Sequence, residues 1–134
     1  MTDGGDAGRA AERLIADKED LARAITEALY AERPELTARY GAAGREKCLQ
    51  DMRYNLEHLA PAVALSDNGL FVSYARWLVD MLGARGIPID DVVRSLRLTD
   101  GVLARKLPAG EAEAAAAPVR AALTAIAPGA GGAT

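Results

Sequence analysis

Apolar residues in this chain recur at intervals of three and four, the spacing that gathers side chains on one face of an α-helix, and no stretch alternates convincingly at period two. Leu14, Leu21, Ile25 and Leu29 mark such a face in a first helix over residues 7–30. Pro34 suits a first helical position, so a short helical turn is expected there, ended by Gly41. The clearest stripe is Leu49, Met52, Leu56, Leu59 and Val63, which predicts a long helix over residues 44–63. Ser66-Asp67-Asn68-Gly69 reads as a turn with capping residues, and a third helix follows from near Leu70 with Phe71, Tyr74, Leu78, Met81 and Leu82. Gly83 and Gly86 end it. Asp90 is placed to cap a fourth helix carrying Val92, Val93, Leu96, Val102 and Leu103, which Pro108 terminates. Residues 110–126 are alanine-rich and helical, with Pro118 expected to interrupt them.

Helices of such unequal length fit an all-α, globin-like orthogonal packing better than a symmetric four-helix bundle. The expected organisation is a flexible N-terminus over 1–6, a single helical domain over 7–126 and a disordered tail over 127–134. Half of the residues are hydrophobic but only 4% are aromatic, which favours close helix packing through small side chains. The net charge of −3 leaves no basic stripe for a nucleic acid. No apolar run approaches the ~20 residues that span a bilayer. The acidic, glycine-rich start is unlike a signal peptide, and together with the single cysteine it points to a cytoplasmic setting.

That cysteine, Cys48, is either a packed small residue or a reactive one. On a wheel of ~100° per residue with Cys48 at zero, the apolar stripe lies at roughly 20° to 100°. Asn55, Asp51 and His58 lie on the other side, at about −20° to −80°. The thiol therefore stands on the border between core and polar flank, one turn from a carboxylate. Such a helix either lines a pocket for an amphipathic ligand or turns its polar flank to water.

Cys48-Leu49-Gln50-Asp51-Met52-Arg53-Tyr54 has the Cys-x-x-Asp-x-x-Tyr spacing of the phycobiliproteins, globin-like proteins that carry linear tetrapyrroles (bilins). Arg33-Pro34-Glu35-Leu36 resembles that family's His-Pro-Asp-Leu segment, and Leu78 through Gly86-Ile87-Pro88 resembles its Leu…Gly-Val-Pro connector. Arg94-Ser95-Leu96 stands in place of the next helix. The resemblance runs from about Glu32 to Pro108 and implies a phycobiliprotein-type fold with a shortened N-terminal extension.

It also implies a site. Cys48 would form a thioether to a bilin of biliverdin or phycocyanobilin type, Asp51 would accept the pyrrole N–H groups, and Tyr54 would close one side of the pocket. The family's basic residues are replaced by Gln50, Ala43 and Gly44, so Arg45, Lys47 or Arg53 would have to serve instead. Asn55, His58 and Trp77 complete the candidate pocket, with Trp77 placed to stack on a tetrapyrrole or to serve the core or an interface. His58 as a haem ligand is the weaker reading, because an axial ligand must project into a deep apolar pocket. The function expected is non-enzymatic bilin binding for light absorption, sensing or carriage, by a homodimer in the cytoplasm. The alternative is an unliganded globin-like regulatory or interaction module, and a lyase acting on a tetrapyrrole is weaker because no acid–base set is visible.

Overall fold

The computed structural model describes residues 4–127, and among these every regular element is an α-helix. The helices are α1 (Gly4–Ala16), α2 (Lys18–Glu32), α3 (Glu35–Ala64), α4 (Asn68–Ala84), α5 (Ile89–Lys106) and α6 (Ala109–Ile126). The architecture is the all-α, globin-like one that the apolar spacing implies. Helix α3 lies at its centre, packed against α1, α2, α4 and α6. The stripe read along α3 is its buried face: Met52, Leu56, Leu59 and Val63 are all at most 4% exposed. None of the described helices is long and apolar enough to cross a membrane.

Four sequence expectations change. The single first helix is two helices with a break at Asp17, because α1 packs against α3 and α6 whereas α2 packs against α3 and α5. The apolar stripe nevertheless runs through the break, and Leu14, Leu21 and Ile25 are all buried. Helix α1 begins at Gly4, ahead of residue 7, so residues 4–6 are helical; the remainder of the expected flexible N-terminus, and the expected tail beyond Ala127, lie outside the described residues. Asp90 sits inside the first turn of α5 and makes no capping bond, although its charge and that of Asp91 still complement the helix dipole. Pro118 does not interrupt α6. It is buried within a continuous helix, so side-chain packing outweighs the ~3 kcal/mol cost of a proline there.

Gly41 controls the shape of α3. Its φ of 67° and ψ of −164° break the helix into a short arm and a long arm, in a region of backbone space that is essentially glycine's alone. The chain turning back at Gly41 lays the Tyr40 side chain against Gly44, where an added Cβ would fall only 2.2 Å from Tyr40 Cβ. The two glycines therefore work together, one allowing the bend and the other leaving room for what the bend brings in. Helix α1 is tied down by a different device. Arg13 Nε donates to the buried Glu111 carboxylate at 2.5 Å, joining α1 to α6.

Replacing Gly41 by Ala should lower the unfolding free energy by about 1–3 kcal/mol in urea denaturation, through backbone strain alone, since nothing lies within 4 Å of its added Cβ. Gly8→Ala, in the open middle of α1, should instead raise it by about 0.5–1 kcal/mol.

Candidate functional site

A cleft of about 390 Å³ opens between the end of α2, both arms of α3, the α4–α5 turn and the start of α5. That is within the range of small-molecule sites. Its floor is apolar, from Leu29, Leu36, Met52, Leu78, Leu82, Ile87 and Val92. One wall is polar and comes from a single helix face, because Cys48, Asp51 and Asn55 follow each other at intervals of three and four along the long arm of α3. The bend at Gly41 supplies the adjoining wall, where Leu36 and Tyr40 stand on the short arm.

Asn55 is only 4% exposed, and its Oδ1 accepts a hydrogen bond from the Tyr74 hydroxyl at 2.6 Å. Its Nδ2 has only the Met52 thioether sulfur, at 3.8 Å, as a partner among the described residues. A buried amide with a weak acceptor of this kind has donor capacity left over for the cleft. Lys47 Nζ lies 3.5 Å from Asp51 Oδ1, a loose pair that leaves the carboxylate partly open. At the far end Arg33 is pinned, its Nε on Glu35 at 2.9 Å and its Nη1 on Asp91 at 2.6 Å, which ties α2 to α5.

The other four residues singled out in the sequence stand outside this cleft. Arg45 turns away and lies over the Tyr30 ring, 4.8 Å from its centroid, so it buttresses the wall from behind. His58 and Trp77 gather on the outer surface around Tyr74, and Tyr54 stands exposed one turn before His58. His58 stacks on Tyr74 with centroids 4.1 Å apart and Trp77 tilts against it at 5.8 Å. His58 Nδ1 hydrogen-bonds the Tyr54 carbonyl at 2.9 Å, which holds the ring along the helix and away from the cleft. Tyr54 and Trp77 are about half exposed. This aromatic group reaches the cleft only indirectly, through the Tyr74–Asn55 hydrogen bond. Burial, with the nearby Asp51 and Glu57 charges, pushes the Tyr74 phenol well above its usual range and keeps it a donor.

Burial likewise raises the Cys48 thiol above its ordinary value, and the Asp51 charge adds to the rise. The Thr26 side chain pulls the other way by more than Asp51 adds and Arg45 by less, without cancelling the rise from burial. At neutral pH the group is therefore a thiol, soft and half-buried, with little thiolate. Three cleft residues escaped the sequence reading: Tyr30, Tyr40 and Arg85. They come from α2, the short arm of α3 and the end of α4, and no spacing along one helix relates them to Cys48.

A family model described as "Phycobilisome protein" matches residues 1–126. No curated protein matches the chain. The chain thus belongs to the phycobilisome protein family, whose members are non-enzymatic, oligomeric proteins that bind linear tetrapyrroles for light harvesting. The thiol's environment is testable without any pigment. Iodoacetamide labelling of Cys48 in the folded protein should keep accelerating as pH rises beyond ~10, where a thiol of ordinary pKa (~8.5) is nearly all thiolate and its labelling reaches a plateau. The denatured chain should level off there. Folded-state labelling that levels off at lower pH than in the denatured chain would contradict the raised pKa.

Proposed function

We propose that this phycobilisome-family chain holds a linear tetrapyrrole in the α2–α3–α5 cleft, linked through Cys48 and held by Asp51. The observation that carries this reading is the convergence of Cys48, Asp51 and Asn55 on one wall of a mainly apolar cleft. The donor set suits such a group. A carboxylate takes pyrrole N–H groups, and the spare Asn55 amide N–H takes a terminal-ring carbonyl. Apolar side chains cover the ring faces.

Cys48 would hold the pigment through a thioether, its S–H adding across an exocyclic carbon–carbon double bond of a terminal ring with the proton going to the neighbouring carbon and no oxidant consumed. Asp51 would favour the protonated, extended chain of rings, because an ionised acceptor strengthens each N–H bond. When bound, the pigment supplies visible light absorption; the protein supplies attachment, extension and exclusion of water. Light absorption, sensing or bilin carriage follows from that, with no substrate turned over. The Cys48 thiol is mostly protonated at neutral pH, so attachment is slow unless a base or a dedicated partner assists.

The same reading takes the protein to be a cytoplasmic homodimer. A shallow apolar groove supports the dimer: Ala11 and Ile15 of α1 line it with Ala60, Pro61 and Ala64 of α3, and Ile15 is half exposed.

Co-expression with a biliverdin or phycocyanobilin source should yield a coloured protein with a zinc-fluorescent band on a denaturing gel. Cys48→Ser should lose the band, and Asp51→Asn should keep it with a blue-shifted, weaker red absorption. Colour unchanged in both variants overturns the site. A folded but colourless wild-type protein leaves the unliganded interaction module instead. Sedimentation equilibrium should give twice 14.0 kDa, and Ile15→Glu should return it to the monomer mass.

A further inference from the structure

Three cations and two carboxylates line the cleft: Arg33, Lys47 and Arg85 against Asp51 and Asp91. Arg33 is held by Glu35 and Asp91, and Lys47 leans on Asp51. Arg85 differs from both. Among the described residues it forms no ion pair, and its side-chain contact is Nη1 to the Met81 sulfur at 3.7 Å, a weak acceptor. The backbone explains why it is there. Arg85 caps the C-terminus of α4, and Gly86, at a φ of 83°, turns the chain so that Arg85, Gly86 and Ile87 all border the cleft. A guanidinium is a planar fork shaped for a carboxylate, and this one has none from the described residues.

We propose that Arg85 binds a carboxylate side chain of the pigment, so that the site selects the free acid over its ester. This rests on the tetrapyrrole reading of the same cleft. It also accounts for the absence of basic residues at Ala43, Gly44 and Gln50. Position 44 has no room for a side chain beside Tyr40, and the anion-binding role passes from α3 to the α4–α5 turn.

The test titrates biliverdin and biliverdin dimethyl ester into the full chain and into Arg85→Gln, Arg85→Lys and Arg76→Gln. All carry Cys48→Ser so that binding stays reversible, and circular dichroism verifies folding. Arg76 is exposed on α4 outside the cleft and serves as control. The parent should prefer the free acid. Arg85→Gln should weaken the free acid about fivefold and leave the ester unchanged, as for a solvated ion pair. Arg85→Lys should recover part of the preference. An acid preference that survives in Arg85→Gln overturns the assignment while the tetrapyrrole reading stands. Failure of the parent and the wild-type chain to bind either compound removes both.

Discussion

The bend at Gly41 is the constraint on which the cleft depends. Without it, α3 would run straight from Glu35, and the short arm would carry Leu36 and Tyr40 away from the row that begins at Cys48. The bend needs a backbone conformation that a Cβ strongly disfavours. It also needs Gly44, because Tyr40 folds back onto that position. A local backbone requirement thus explains why position 44 carries no basic side chain.

The long arm of α3 does two jobs with two adjacent faces. One face is buried among α1, α2, α4 and α6 and holds the fold together. The neighbouring flank carries a thiol, a carboxylate and an amide into the cleft. Polar groups so close to a core are tolerated only when partnered, and the Tyr74 hydroxyl provides that for Asn55. The aromatic group of His58, Tyr74 and Trp77 thus supports the cleft wall from outside.

The α3 stripe and the Cys48–Asp51–Asn55 row were legible in the sequence because both are properties of one helix, which a wheel describes fully. His58 shows the limit of that method. It shares the angular flank of Asp51, but ten residues of helix carry it ~15 Å along the axis from Cys48 and past the end of the cleft. Aromatic character likewise says nothing of which side of a wall a ring stands on, and Tyr54 and Trp77 stand outside this one. Arg85 was unreadable for a different reason: its place at the cleft depends on the α4–α5 turn meeting α3, a tertiary fact. Pro118 was read by its local penalty, which packing of α6 overrides.

The account's central claim is that this cleft carries a tetrapyrrole on Cys48. The absorption spectrum of the protein purified from its native source, recorded before and after denaturation in acidic urea, tests it most directly. A visible red band that stays with the polypeptide after denaturation is the predicted result. A folded protein that absorbs only in the ultraviolet would contradict it.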